Sequence, residues 1–162
     1  MENQTRLRFS GMPNPSKKVY FHSLQKFSFL KHRRSLKHFI EVIFKKEKRG
    51  LEELHYIFCT DEYLLKINQQ YLQHNYYTDI ITFDLSGNNG IYGEVYISID
   101  RLKENSDAYK TAYSNELHRL LFHGALHLIG YSDKTPGEKT IMKKKEDFYL
   151  SLFKVVPRDT VS

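Results

Sequence analysis

The chain has 162 residues, of which 40% are hydrophobic, and its formal net charge is +6. This length suits a single domain with a core of its own. No apolar run approaches the roughly 20 residues that span a bilayer, and the first residues lack the apolar segment of a secretory signal. Basic clusters at residues 31–34, 45–49 and 143–145 permit a nucleic-acid partner, although each also fits a solvated helix face.

The first elements alternate between strand and helix patterns. Residues 1–17 contain two of the four prolines and show no periodicity, which predicts a flexible N-terminal tail. Residues 19–24 are β-prone and predict a first strand. From Phe27 to Phe44 apolar residues recur mostly at helical spacing, which predicts a long amphipathic helix ended by Gly50. The apolar run Leu54–Cys59 predicts a central strand.

A helix and an antiparallel strand pair are predicted next. Thr60 and Asp61 are typical of a cap for a helix that runs to Leu72. Residues 80–85 and 94–99 are β-prone and flank a loop rich in glycine and asparagine, which predicts that the two strands pair antiparallel. In the second strand, one face is expected to carry Val95, Ile97 and Ile99.

Three helices are predicted in the last third of the chain. Residues 101–109 predict a short helix, and Ser114 is expected to cap a longer one that ends near Leu128. Residues 135–138 form a capping box with proline at the first helical position and begin the last helix, after which residues 157–162 fray. Four apolar side chains of that helix are expected to face inward: Ile141, Met142, Phe148 and Leu152.

The order of these elements is β-α-β-α-β-β-α-α-α. It predicts a single α+β domain over residues 18–156, with a small mixed sheet of about four strands packed with about five helices. The lone cysteine, Cys59, rules out an intramolecular disulfide and fits a reducing compartment, so the predicted location is cytoplasmic.

Two histidines on the longest of the late helices indicate a metal site. His123 and His127 are four residues apart, so their rings lie on one helix face and converge. Gly130 suits the turn that ends the helix, and Asp133 follows on the return loop, where it can face the same point. Two nitrogens and a carboxylate with an open position are typical of a catalytic metal site, and the six other histidines are scattered.

Gly124 limits the types of reaction that the predicted metal site can catalyse. Zinc proteases place a glutamate directly after the first histidine as the general base, and here that residue is glycine. The exchange argues against peptide hydrolysis and is compatible with phosphodiester cleavage, since a 2′-hydroxyl or a metal-held water can attack. Gly124 is also expected to leave the helix open to a bulky substrate.

Three blocks of the chain resemble the YbeY family. Residues 123–131 follow the family signature His-Gly-x-Leu-His-Leu-x-Gly-Tyr-Asp-His at every fixed position up to the tyrosine. Residues 67–83 resemble its Leu-Asn-x-x-Tyr and Thr-Asp-Val-Leu-Ser-Phe segment, and residues 93–98 resemble its Gly-Asp-Ile-x-Ile-Ser strand. The blocks occur in the family's order.

This resemblance implies a single-strand-specific, metal-dependent endoribonuclease that acts on ribosomal RNA, including the 3′ end of the small subunit, and in ribosome quality control. It implies one divalent ion, usually assigned as zinc, and a family fold with a small mixed sheet. The family ligands are three histidines, of which His123 and His127 carry over directly. The metal-bound water is the only catalytic group that the resemblance implies, and the general base stays unassigned.

The chain departs from the family at two positions. Asp133 stands where the family has its third histidine, so either aspartate replaces that ligand or the site has lost one; the first alternative is preferred. A carboxylate ligand lowers the net charge of the site, makes a bound water less acidic and favours harder ions relative to zinc. Leu72 stands where the family commonly has an arginine thought to meet phosphate, and no phosphate-binding residue is assigned.

The sequence therefore predicts an rRNA-processing endoribonuclease whose metal ligands are His123, His127 and Asp133, with Tyr131 shaping the loop. Asp79 and Glu94 are weak candidates for a further catalytic carboxylate. Two alternatives stay open: a metallopeptidase-like hydrolase, and a non-catalytic metal-binding protein associated with the ribosome.

Overall fold

The computed structural model describes residues 16–26 and 30–155. The strands in these ranges are β1 (Val19–Ser23), β2 (Leu51–Cys59), β3 (Ile80–Asp84) and β4 (Ile91–Ser98). The helices are α1 (Arg33–Lys46), α2 (Asp61–Leu72), α3 (Ile99–Ala108), α4 (Tyr113–Ile129) and α5 (Pro136–Lys154). The predicted α+β domain with four strands and five helices is confirmed for this part of the chain.

The sheet is mixed and has the strand order β1-β2-β4-β3. β1 and β4 both run parallel to β2, and each parallel connection passes through a helical segment. β3 pairs antiparallel with β4, from Ile80 opposite Ile97 to Asp84 opposite Gly93, which confirms the predicted pair. β4 begins inside the predicted loop, so only residues 85–90 connect the two strands.

The main core lies on one face of the sheet. β-strand side chains alternate between faces, so Leu54, Tyr56 and Phe58 of β2 point towards α1, α4 and α5. The opposite face is covered in part by α2, whose Leu64 and Ile67 pack on Cys59 and Ile81 in a second, smaller cluster. Burial raises the pKa of the Cys59 thiol to about 12.

The boundaries of two helices differ from the prediction. α1 begins at Arg33, because His32 adopts a left-handed conformation with φ of 56°; the start predicted at Phe27 lies outside the described residues. α4 begins at Tyr113, so the predicted cap Ser114 is already inside its first turn. Ala112 occupies the N-cap position and makes no side-chain capping bond.

The buried face of α5 also differs. Ile141 and Phe148 are each 52% exposed, whereas Met142, Glu146, Tyr149 and Phe153 form the buried stripe. These four residues recur at helical spacing, so a polar residue lies in the middle of the stripe. The prediction grouped the apolar residues of α5 without allowing a glutamate inward, and it was therefore wrong for Ile141 and Phe148.

Further predictions concern the ends of the chain and its strands. Ile99 is the first residue of α3 rather than the last of the strand, and Ser98 caps that helix by accepting from the Arg101 amide. Most of the predicted N-terminal tail and all of residues 157–162 lie outside the described residues. In the part that the structure describes, no helix has the length and apolarity needed to cross a membrane.

The packing of α4 on the sheet depends on two glycines. Gly124 is buried, and a Cβ built on it lies 2.8 Å from Cγ1 of Val95 on β4. A Cβ on Gly93 of β4 lies 2.6 Å from Cδ1 of Leu128 on α4. Gly124 therefore faces the sheet and brings the helix close to it, which corrects the prediction that it opens the helix to a bulky substrate.

We expect the Gly124→Ala substitution to destabilise the protein by up to about 2 kcal/mol, the cost of overpacking less the gain in helix propensity. Overpacking a buried contact costs roughly 1–3 kcal/mol, and Val95, whose χ1 is restricted by β-branching, must shift to admit the added Cβ. The higher helix propensity of alanine returns about 1 kcal/mol. Urea unfolding measures the change. Gly137→Ala in α5 is the control, because its added Cβ meets nothing within 4 Å apart from its chain neighbours and the backbone of its own helix. Equal stability of both variants would contradict the close approach of α4 to the sheet.

Candidate metal centre

His123 and His127 lie one turn apart on α4 and face each other, as predicted. Their ring centroids are 4.4 Å apart and the ring planes are nearly perpendicular, at 88°. The two Nε2 atoms approach to 2.9 Å. Both side chains are largely but not completely buried, so the pair lies at the floor of an accessible site.

The turn after α4 brings the chain back towards these rings. Gly130 has a φ of 127°, which confirms the glycine turn, and its amide donates to the carbonyls of Leu126 and His127. The Tyr131 amide donates to the same Leu126 carbonyl at 3.0 Å. Thr135 then caps α5 in the predicted capping box with Glu138. Residues 130–135 are thus held at both ends.

Asp133 lies in this short connection and reaches both histidines. Its Oδ2 is 3.4 Å from Nε2 of His123 and 3.3 Å from Nε2 of His127. The three side chains offer one ligand atom each, and these atoms lie within 4.8 Å of one another. The structure therefore brings together the three residues that the sequence nominates as ligands.

The outer nitrogens of both rings are held by acceptors. Nδ1 of His127 lies 2.9 Å from the Tyr131 carbonyl, and Nδ1 of His123 lies 3.4 Å from Oε2 of Glu146. Because both partners accept, each Nδ1 carries a proton and each Nε2 presents a lone pair. Two lone pairs and a carboxylate oxygen this close repel one another unless a cation, either a proton or a metal ion, lies among them. The donor set fits a divalent metal.

Glu146 is itself fixed by Arg119. Burial raises the pKa of the Glu146 carboxyl, but the contacts with His123 and then Arg119 outweigh burial and hold it below its usual range. Arg119 donates from Nη1 to Oε1 of Glu146 at 3.0 Å and forms a bidentate pair with Glu116. The Glu116 hydrogen bond is the largest contribution that raises the pKa of Arg119. Glu146 is therefore an ionised acceptor oriented towards His123.

A second carboxylate, which is only partly exposed, holds the return loop. Glu47, just after α1, accepts from the hydroxyls of Tyr131 at 3.1 Å and Tyr149 at 3.0 Å, and pairs with Lys145 at 2.8 Å. Arg49 donates to the carbonyl of Ile129 at the end of α4. These contacts tie the loop that carries Asp133 to α1 and α5, which gives Tyr131 the loop-shaping position predicted for it.

The three candidate ligand residues border an open cavity of about 460 Å³. Its walls are β3, α2 with the segment after it, and one side of α4, and the lining residues beyond the three candidates are Asn68, Leu72, His74, Tyr76, Thr78, Asp79, Ile80, Ile81, Thr82, Asp84 and Leu128.

Asp79 and Glu94, the two weaker candidates for a catalytic carboxylate, lie in different places. Asp79 lines the cavity and accepts from Nδ2 of Asn105 at 3.0 Å, with Arg119 at 4.0 Å. Glu94 accepts from the Tyr96 hydroxyl at 2.8 Å on the sheet face opposite the main core, and it does not line the cavity.

Sequence reasoning missed the residues that support the centre. Glu146, Arg119 and Glu47 come from three different elements and meet only through tertiary packing, so no local spacing indicated them. A usable signal was the position of Glu146 in the apolar stripe of α5, because a glutamate at a buried helical position normally has a charged partner.

We expect Glu47→Gln to lower the free energy of unfolding by about 1–3 kcal/mol at pH 7, since Glu47 accepts as a charged group. Burial raises its pKa, but hydrogen bonds from Lys145 and Tyr149 and the Lys145 charge outweigh that effect and lower it. A carboxyl with a depressed folded pKa stabilises the protein above its unfolded pKa of about 4.3, and the contribution disappears as pH falls through the folded pKa.

Urea titrations of both proteins between pH 7 and pH 3 measure this difference. Glu62→Gln, an exposed glutamate in the first turn of α2, is the control. A difference between wild type and Glu47→Gln that stays constant over the whole range would contradict the ionised role of Glu47.

Comparison with known proteins agrees with this arrangement. Residues 20–154 match the model of the family described as endoribonuclease YbeY. The endoribonuclease YbeY of Cytophaga hutchinsonii is 52% identical over 126 residues, covering 77% of this chain and 88% of that protein. The Karelsulcia muelleri protein of the same name is 46% identical over 134 residues, covering 83% and 90%.

A solved structure supports the same grouping. The solution structure of a Thermotoga maritima protein superposes with a TM-score of 0.62 at 27% sequence identity, covering 83% of this chain and 88% of that one. The resemblance first seen in three sequence blocks therefore extends over nearly all the described residues. The chain belongs to the endoribonuclease YbeY family.

Proposed function

We propose that this protein cleaves single-stranded RNA in the cavity beside α4, with one divalent metal ion held by His123, His127 and Asp133. The observation that carries the proposal is the convergence of two Nε2 atoms and one carboxylate oxygen within 4.8 Å at the edge of that cavity. Family membership supports endoribonuclease activity, since the curated relatives carry that name.

When bound, the metal supplies Lewis acidity to a phosphodiester and lowers the pKa of a water molecule. The residues of this chain have separate roles around it. Glu146 and the Tyr131 carbonyl orient the two imidazoles so that their Nε2 lone pairs converge. The Gly130 turn and the Glu47 contacts hold Asp133 in reach of both, so the site is organised before substrate arrives.

Zinc is the expected ion, because two imidazoles and one carboxylate form a common three-ligand zinc set. Aspartate in place of a third neutral ligand leaves a divalent site with a net charge near +1, which favours harder ions more than a three-histidine site does. The metal in the cell is therefore a point at which this chain can differ from a family member with three histidine ligands.

The proposed biological role is maturation of ribosomal RNA in the cytoplasm, including the 3′ end of the small-subunit RNA, together with ribosome quality control. The small ribosomal subunit is the expected partner. A net charge of +6 supports association with a phosphate polymer. Family membership supports RNA as the substrate class.

The environment of position 124 disfavours the metallopeptidase alternative. A side chain added there meets Val95 and Ile80 of the sheet instead of entering the cavity. The position that carries the base in zinc proteases is therefore unavailable for a carboxylate in this packing.

We expect Asp133→Ala to lower zinc affinity at least 10-fold, because it removes the only charged ligand. Competition with a chromophoric chelator measures affinity, and elemental analysis of protein purified without chelator identifies the metal. Asp84→Ala is the matched control, since Asp84 lines the same cavity outside the ligand group. Unchanged metal content in Asp133→Ala would rule out the three-ligand site, and Asp133→His is expected to restore binding.

We expect purified protein to cleave single-stranded rRNA fragments and to leave casein intact, and His123→Ala to reduce RNA cleavage by at least 100-fold through loss of a ligand. Far-UV circular dichroism checks that the variant is folded. Cleavage that survives in His123→Ala points to a contaminating nuclease. Absence of cleavage in the wild type would favour the non-catalytic, ribosome-associated alternative.

A further inference from the structure

The cavity has few groups that can meet an anionic substrate. Its lining includes three carboxylates, Asp79, Asp84 and Asp133. Apart from the two ligand histidines, His74 is the only lining residue, among those that the structure describes, with a side chain that can carry positive charge. Leu72 lies in the same wall and has no polar group to offer. A phosphate backbone entering this cavity needs donors to offset the carboxylates.

The backbone holds His74 at the end of α2. Gln73 adopts a left-handed conformation with φ of 56°, and the amides of Gln73 and His74 both donate to the Asn68 carbonyl. Asn68 is 1% exposed, and its Nδ2 donates to the Tyr76 carbonyl at 2.9 Å. The buried amide therefore pins the segment on which His74 lies to the last turns of the helix.

The ring of His74 is also ordered. It stacks on the Tyr76 ring with centroids 5.1 Å apart and an angle of 20° between the planes. The Tyr76 hydroxyl lies 3.0 Å from Nδ1 of His74. When that hydroxyl donates to Nδ1, the ring proton is on Nε2, which becomes a donor for a further acceptor. Both rings are exposed to solvent, so a ligand reaches them without a structural change.

We propose that His74 binds a phosphate of the RNA chain in this cavity, through an Nε2–H donor that Tyr76 sets in place. The inference rests on the proposed endoribonuclease function and adds a substrate contact to it. The side chain comes from the segment after α2, and the ligand residues come from α4 and its return loop, so RNA in the cavity would meet both. His74 thereby positions the strand and takes no part in the chemical step.

Two other basic residues lie near the centre, in an adjoining cavity that shares Asp79, Ile80, His123 and Asp133 with the first. Arg119 is committed to Glu116 and Glu146, and using it for phosphate would release the acceptor that orients His123. Lys139 is exposed on α5. It is the alternative phosphate contact, and Lys139→Ala is therefore included in the test.

The test compares binding with cleavage. Fluorescence anisotropy with single-stranded RNA, in the presence of chelator to prevent cleavage, gives Kd; steady-state cleavage with metal gives KM and kcat. We expect His74→Ala to raise Kd and KM about 10-fold, the range for a hydrogen bond to a charged group, with kcat within about 2-fold of wild type. Tyr76→Phe is expected to raise Kd less, and His74→Arg to bind at least as tightly as wild type.

Two further variants separate a phosphate contact from a structural role. His38→Ala, an exposed histidine on α1 outside the cavity, is the matched control and is expected to leave Kd unchanged. Leu72→Arg in the His74→Ala background is expected to restore binding, because residue 72 lines the same wall. Leu72→Arg adds a positive charge to the cavity and would not repair a damaged fold. Its rescue of binding would therefore indicate that His74 acts through a contact with phosphate.

The outcomes distinguish this inference from the proposed function. Wild-type cleavage with Kd and KM unchanged in His74→Ala would overturn the role of His74 and leave the endoribonuclease intact. A rise in Kd only in Lys139→Ala would overturn it in favour of α5. A wild type that neither binds nor cleaves RNA would overturn both.

Discussion

The close approach of α4 to the sheet is the constraint on which the site depends. Gly124 and Gly93 remove two side chains from the contact between α4 and β4, so the helix lies directly on Val95 and projects Leu128 against the strand. That contact sets the rotation of the helix. Gly124 and Leu128 both face the sheet, so His123 and His127, each one residue earlier in the chain, lie on the flank of the helix beside β3, where the cavity opens.

The contacts around His123, His127 and Asp133 hold three acceptor atoms close together although these atoms repel one another. Each imidazole is oriented from outside by a different element, through Glu146 on α5 and the Tyr131 carbonyl on the return loop. Glu146 in turn requires Arg119, and Tyr131 requires Glu47. Buried ionised networks of this kind stabilise little on their own, because desolvation offsets their attraction. Their value here lies in fixing the direction in which the Nε2 lone pairs point.

The sequence predicted the fold well where the signal is local. The alternation of β4, the capping box at Thr135 and the glycine turn at Gly130 each depend on a few consecutive residues, and each is found. Predictions that depend on tertiary context were less reliable: α5 buries Glu146 in place of Phe148, because Arg119 and His123 are there to pair with it. The convergence of the three nominated residues followed from spacing, whereas their supports come from distant elements.

The charged residues that line the cavity contrast with the net positive charge of the chain. A chain with an excess of basic residues nevertheless places three carboxylates in its cavity, so positive charge there depends on the metal ion of the proposed function and on the histidines that line the wall. The attraction of RNA and the positioning of its strand are therefore separate tasks. Under the proposed function, the net positive charge attracts RNA without sequence preference, while contacts at the cavity position the strand for cleavage. The helix α4 and the anchored segment after α2 both line this cavity, which suits that division between the candidate metal ligands and the proposed contact of His74 with phosphate.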